Sequence, residues 1–211
     1  MKLTRAMVLN DLKYLVGNFS DFIVPNYELL YAIGCIMFNP IFWNVVARTE
    51  YKTHLLTKIA GSAKKGCYCL AFTIFTLGLY RDYVYHEALS KQPTYVPLLE
   101  GTVYRILAIG CFAAGNVLVL SSMYALGITG TYLGDYFGIL MDDRVTGFPF
   151  NVNENPMYNG SALCFLGTAL WYGKPAGIAV AALVFIMYRI ALIFEEPFTA
   201  KIYANRDKKG D

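Results

Sequence analysis

The chain has 211 residues, of which 56% are apolar and only 16% charged, and its formal charge is +3. An ordinary soluble domain carries about a quarter of its residues as charges, so the composition excludes one, and so small a net charge gives no reason to invoke nucleic acid. The expectation is a single membrane-embedded domain over residues 1–211. Because a helical crossing needs about 20 apolar residues, the informative segments are long stretches without Asp, Glu, Lys or Arg.

In chain order, the residues through Asp21 mix Lys2, Arg5, Asp11 and Lys13 with apolar positions. They hold no compact apolar core followed by small residues, so a cleaved signal peptide is not expected. Residues 29–47 are uncharged but broken by Asn39-Pro40, and residues 66–80 are uncharged but short unless residues 61–63 and the stems of Lys64 and Lys65 extend them. Residues 106–134 form the longest such stretch; residues 155–173 are uncharged, and residues 175–194 are apolar apart from Arg189. Barrel strands would show short alternating patterns, whereas spanning helices satisfy their own backbone. The predicted fold is therefore all-α: a polytopic membrane bundle of about four transmembrane or intramembrane helices, with no Rossmann fold. Rings near segment ends, such as Tyr80, Tyr83, Tyr85, Tyr132, Tyr136 and Phe137, suit the interfacial belts.

Cys35, Cys67, Cys69, Cys111 and Cys164 fall inside apolar segments without the paired spacing of a zinc site, which points to reduced, buried thiols. His54 and His86 are too few for a histidine metal cluster, so no metal is expected. Basic residues gather on the cytosolic side of membrane proteins. With crossings at 29–47, 61–80, 106–128 and 175–194, both termini share the more basic side; if 155–173 also crosses, the C-terminus joins the side of Arg48 to Lys65, again the majority. Both arrangements predict a cytosolic C-terminus, where Lys208-Lys209-Gly210-Asp211 fits the dilysine pattern of endoplasmic-reticulum membrane proteins.

Chemistry is sought where polar residues interrupt these segments. Glu195-Glu196 comes directly after the last apolar stretch and precedes Pro197. A helix C-terminus disfavours carboxylates, so the pair is either solvated, with Arg189 on the same face as Glu196, or a clamp for the ammonium and ribose hydroxyls of a ligand. Ala113-Ala114-Gly115 lies in the longest stretch; small residues there mark helix packing more often than ligand contact, and Gly110 with Ala114 makes a plain small-xxx-small pair. Glycines 127, 130, 134 and 138 punctuate the chain beyond this segment, ending in Gly134-Asp135-Tyr136-Phe137-Gly138, which is not the soluble dinucleotide fingerprint. The polar stretch 141–160, MDDRVTGFPFNVNENPMYNG, is a structured loop or a site, with Asn155-Pro156 suited to starting a helix.

Three stretches carry a resemblance: FNPIFWNVVARTEY from Phe38, VLSSMYALGITGTYLGDYFGILMDDRVTGFPFNVNENPMYNG from Val119, and EEPFTAKIYANRD from Glu195. Together they are similar to the phosphatidylethanolamine N-methyltransferase family over nearly the whole chain, and most similar to its small fungal-type form. The resemblance implies a multi-pass enzyme of the endoplasmic reticulum that moves methyl groups from S-adenosylmethionine to a phospholipid amine. The fungal-type form chiefly performs the last two methylations toward phosphatidylcholine. The family's cofactor residues fall on Ala113, Ala114 and Gly115, where Ala113 replaces the first glycine of a Gly-x-Gly, and on Glu195 and Glu196. A Pro-x-Tyr-x-Gly element of related membrane methyltransferases looks similar to Pro156, Tyr158 and Gly160. A hairpin of 155–173 and 175–194 would bring Tyr158 to Glu195, whereas a four-span arrangement would unite Gly115 with Glu195.

Methyl transfer to an amine needs alignment and a neutral nitrogen rather than a covalent intermediate. Rings at Tyr132, Tyr136, Phe137 or Tyr158 are candidates to face the methylated cation, Asp135, Glu154 or His86 to accept a proton, and Arg144 or Arg189 to hold the lipid phosphate. Two other readings stay open: a membrane methyltransferase for another lipid or prenyl-type substrate, and a non-catalytic membrane scaffold.

Overall fold

A computed structural model describes residues 5–210, with side chains described for residues 8–205. Lys2 and Asp211 lie outside the described residues, as do the side chains of Arg5 and of Lys208 and Lys209. All regular structure among the described residues is helical: α1 (Arg5–Gly17), α2 (Tyr27–Thr53), α3 (Leu55–Ala60), α4 (Ala63–Ser90), α5 (Val96–Glu100), α6 (Thr102–Thr131), α7 (Pro156–Trp171) and α8 (Pro175–Gly210). The stretches Tyr27–Thr53, Thr102–Phe137 and Pro175–Asn205 are long and apolar enough to cross a membrane. At 28 residues α4 is also long enough, about 42 Å, but Lys64 and Lys65 open it and Arg81 and Asp82 sit within it. Phe72, Leu120 and Ile193 point outward from three of these helices, as expected where the surrounding medium is lipid rather than water.

Local signals set the helix starts. The Asn26 side chain accepts the Leu29 N–H at 2.9 Å, and Ser62 accepts from Lys65, so α2 and α4 begin on capping side chains. Pro156 opens α7, where its missing N–H is no loss. The break expected at Asn39-Pro40 does not occur: α2 runs through Pro40. Proline removes one donor from the ladder, and side chains tie the helix down on either side of it. Asn39 donates to the Leu77 carbonyl of α4 at 3.3 Å, and Asn44 to the Pro40 carbonyl at 3.1 Å.

The long helices alternate in direction. At one end, Gln92 exchanges hydrogen bonds with the Val24 backbone just before α2, Lys174 donates to the Gln92 carbonyl, and Tyr95 N–H reaches Gly173. Helix α1 joins this end, where the Tyr95 hydroxyl donates to the Asp11 carbonyl at 2.9 Å. The opposite end gathers the finish of α2, α3, the start of α4, the 3₁₀ turn Gly134–Phe137 and the C-terminal part of α8. There Glu50 accepts from Leu56 and Thr57, Phe137 abuts Gly66, and Thr199 donates to Asp135. Residues 155–173 therefore run from one end to the other, so α1 and the end of α8 lie on opposite ends, as in the hairpin arrangement.

Helix α7 fits between α6 and α8 because both sides are small where they meet. A Cβ on Gly115 would lie 2.5 Å from the Gly160 carbonyl, one on Gly160 would lie 2.7 Å from the Gly115 carbonyl, and one on Gly167 would lie 2.7 Å from Phe112 N. Close backbone approach of this kind holds membrane helices together by packing. Gly110, expected to pack with Ala114, has nothing within 4 Å of its Cβ position and faces outward. The packing face of α6 instead runs through Ala108 and Gly115.

Candidate functional site

Glu195 and Glu196 are not at a helix end, because α8 continues through Pro197. What compensates Glu195 is a set of donors from two other helices. Its Oε1 accepts from Trp43 Nε1 at 2.6 Å and from Asn44 Nδ2 at 2.7 Å, both on α2, and its Oε2 accepts a very short hydrogen bond from the Tyr158 hydroxyl on α7. Arg189, offered by the sequence as a partner for Glu196, lies over the Phe185 ring at 5.1 Å. Glu196 is exposed and accepts from Asn155 Nδ2 at 3.2 Å, which ties α8 to the start of α7.

Below the carboxylate the site is aromatic. Tyr188 precedes Glu195 by two helical turns and so shares its face. The Tyr188 ring centroid lies 4.9 Å from that of Tyr158 and 6.4 Å from that of Trp43, and Trp43 and Tyr158 are 6.4 Å apart. Three rings from three helices thus pack against one another beside Glu195. The Tyr188 hydroxyl accepts from Arg81 Nη1 of α4 at 2.6 Å and shares a hydrogen bond with Ser161. Arg81 in turn pairs with Asp82 at 2.8 Å, the one ion pair among the described residues, and lies over the Phe165 ring. An intramembrane polar chain of this kind marks a functional site more often than a structural one.

A turn further along α8, Thr199 Oγ1 donates to Asp135 Oδ2 at 3.0 Å, and Phe198 stacks on Tyr136. Asp135 therefore shares the end of the molecule that holds Glu195. His86 is hydrogen-bonded to Tyr172 at 3.0 Å, at the opposite end, and Glu154 is exposed. Of the four rings named from the sequence, Tyr158 joins the Glu195 cluster, whereas Phe137 is buried with Cys67 and Leu70. Arg144 is exposed in the loop before α7.

The remaining sequence-derived residues divide on the two sides of α7. Gly160 faces α6, and Tyr158, two residues earlier and hence about 200° around the helix, faces α8 and α2. Gly115 meets Gly160, while Ala113 and Ala114 lie on the outer surface of α6. Helix α7 thus stands between Ala113–Gly115 and the glutamates. Sequence reasoning missed Trp43, Asn44, Arg81 and Tyr188. A signal was present for the first two, which lie inside FNPIFWNVVARTEY, and for Tyr188 in its seven-residue spacing from Glu195.

A sequence model of the family described as phospholipid methyltransferase matches residues 103–206. The chain is 67% identical over 177 residues to the phosphatidyl-N-methylethanolamine N-methyltransferase of Saccharomyces cerevisiae, covering 84% of this chain and 85% of that protein. It is 58% identical to the protein of the same name from Emericella nidulans, covering 92% and 93% of the two chains. Against the phosphatidylethanolamine N-methyltransferase of Rattus norvegicus it is 48% identical, covering 83% and 87%. No solved structure matches the chain.

Proposed function

We infer that this chain, which belongs to the phospholipid methyltransferase family, N-methylates phosphatidyl-N-methylethanolamine and phosphatidyl-N,N-dimethylethanolamine toward phosphatidylcholine. The observation that carries the reading at the site is the Glu195 carboxylate, held by Trp43, Asn44 and Tyr158 beside the rings of Trp43, Tyr158 and Tyr188. The methyl donor is S-adenosylmethionine, whose sulfonium methyl is attacked by the amine lone pair as the carbon–sulfur bond breaks and its electrons go to sulfur.

The residues present suit that donor. Glu196 is exposed with one long hydrogen bond, so its oxygens retain acceptor capacity for an ammonium or a ribose hydroxyl. Glu195, with three donors already, orients Tyr158 and adds negative potential. The faces of Trp43, Tyr158 and Tyr188 stabilise a cationic nitrogen or sulfur by their quadrupoles. The assignment of the donor site to Glu195, Glu196 and Tyr158 rests on this chemistry. Gly115 and Gly160 act by setting the depth of α7, and Ala113 and Ala114 enter only through the family resemblance. Asp135, which shares the Glu195 end of the bundle, is the group assigned to take the proton that the substrate ammonium loses before its nitrogen attacks.

The enzyme acts in the endoplasmic reticulum with the Glu195 end toward the cytosol. That end carries Arg48, Lys52, Lys58, Lys64, Lys65 and Lys201, against Lys13, Lys91, Arg105 and Lys174 at the other. Methyl transfer itself tests the reading. Purified protein given methyl-labelled donor and mixed phospholipids is expected to place label in phosphatidyldimethylethanolamine and phosphatidylcholine. Label confined to a sterol, a prenylated product or a non-choline lipid overturns the reading, as does a protein that binds no S-adenosylhomocysteine.

A further inference from the structure

On the outer face of the bundle, α2 and α8 enclose a groove of about 250 Å³ between positions 40–48 of one helix and 187–194 of the other. Eight residues of helix give it a length of about 12 Å along the membrane normal. Its walls are apolar except at the end nearest Glu195, where Asn44 and Arg48 sit one turn apart.

Arg48 braces the neighbouring helix, since its Nη2 donates to the Phe194 carbonyl at 2.7 Å and its guanidinium lies over the Phe198 ring at 4.7 Å. This brace ties α2 to α8 within one turn of Pro197, whose missing N–H leaves the Ile193 carbonyl without its helical donor. It leaves Arg48 Nε buried and unpaired, and Asn44 Oδ1 is buried and unpaired as well. Buried polar groups are nearly always hydrogen-bonded, so a free donor and a free acceptor in the wall of a lipid-facing groove, brought to its surface by a small turn of either side chain, call for a ligand with both functions. A second groove, between α2 and α4, lacks this property, because its hydroxyls from Tyr31 and Tyr80 bond each other at 2.9 Å.

We propose that the α2–α8 groove seats the acceptor phospholipid, with Arg48 on its phosphodiester. An acyl chain lies along Pro40, Ile41 and Ile190, and guanidinium is the side chain best matched to a phosphate. The head-group nitrogen, a short ethylene link from the phosphate, turns toward Asn44 Oδ1, which accepts the N–H of the monomethyl lipid and, until that lipid is deprotonated, of the dimethyl lipid. The Asn44 amide group already bonds Glu195, so the seat is continuous with the donor site. A quaternary product nitrogen has no N–H to offer Asn44, which favours its release. The proposal rests on the phospholipid methyltransferase reading.

The experiment compares Arg48→Gln and Arg48→Lys with the unaltered enzyme in mixed micelles of phosphatidyl-N-methylethanolamine. It measures separate KM values for lipid and for S-adenosylmethionine, together with Tm and S-adenosylhomocysteine binding. Arg48→Gln is expected to raise the lipid KM about tenfold, the loss of one charge-assisted hydrogen bond, with the donor KM and binding unchanged, and Arg48→Lys to recover most of it. A phospholipid bearing a photoactivatable acyl chain is expected to label peptides containing Ile41 and Ile190. An unchanged lipid KM in Arg48→Gln overturns the proposal, and so does an equal rise in both KM values, which would mark Arg48 as only a brace for α8. If the unaltered enzyme methylates no phospholipid, the functional reading fails instead, and labelling elsewhere than Ile41 and Ile190 would then count separately against the groove.

Discussion

A carboxyl group in a membrane helix persists when hydrogen bonds replace the water it has left, and Glu195 receives them from Trp43, Asn44 and Tyr158. The two glutamates therefore differ in kind although they are adjacent. Glu195 is an internal joint between α2, α7 and α8, whereas Glu196 reaches solvent with Asn155 as its partner. Replacing Glu195 by Ala leaves three donors without an acceptor, each costing about 1–3 kcal/mol when buried. Glu195→Ala is accordingly expected to lower Tm by many degrees in detergent and to abolish methyl transfer. Glu196→Gln is expected to keep the Tm and weaken S-adenosylhomocysteine about tenfold by titration calorimetry, the scale of one charged hydrogen bond. Unaltered affinity in Glu196→Gln would remove that residue from the donor site.

Helix α7 is the element on which the site depends, since its two faces have different roles. The Gly160, Cys164 and Gly167 side lets α6 approach to backbone contact, and the Tyr158, Ser161 and Phe165 side carries hydrogen bonds to α8 and, from Tyr85 of α4, to the Phe165 carbonyl. A shift of α7 away from α6 would move Tyr158 relative to Glu195. Gly115→Val puts a side chain where the Gly160 carbonyl stands 2.5 Å away, and overpacking of that sort costs about 1–3 kcal/mol. It is expected to lower Tm and reduce activity together. Gly110→Val, on the open face of the same helix, is expected to change neither; thermal melts of the two variants side by side make the comparison. Equal effects would mean that the α6–α7 contact does not set the geometry.

At the scale of the whole molecule, the five long helices among the described residues run in alternating directions, so the α1 end and the C-terminal end of α8 are opposite. The proposed methyl donor is water-soluble and the acceptor is a lipid, and the arrangement suits both: the glutamates stand near the basic end, and the α2–α8 groove opens sideways. Tags appended to the two termini and probed by protease in sealed membranes are expected to be cleaved from opposite sides, with the C-terminal one cut from outside in microsomes. Cleavage of both from one side would require an even number of crossings and a different course for residues 155–173.

The sequence by itself determined that the chain lives in a bilayer as helices, where the long helices begin to within a few residues, and the family to which it belongs. The first two come from local composition, because a segment without charges either crosses a membrane or is buried, whatever its neighbours do, and the family comes from the order of residues in three particular stretches. It also marked Tyr158, Glu195 and Glu196. Only the tertiary structure decided that α2 and α8 continue through Pro40 and Pro197, because the hydrogen bonds around these prolines come from side chains such as Asn39, Asn44 and Arg48, two of them reaching across to another helix. It likewise decided that Glu195 answers to Trp43 and Asn44 rather than to Arg189, that Ala108 and Gly115 rather than Gly110 and Ala114 pack on α7, and that Arg48 borders a groove. Each of these depends on the rotation of one helix against another about its axis, which is fixed by contacts between residues far apart in the chain and leaves no trace in the spacing of residues along either helix.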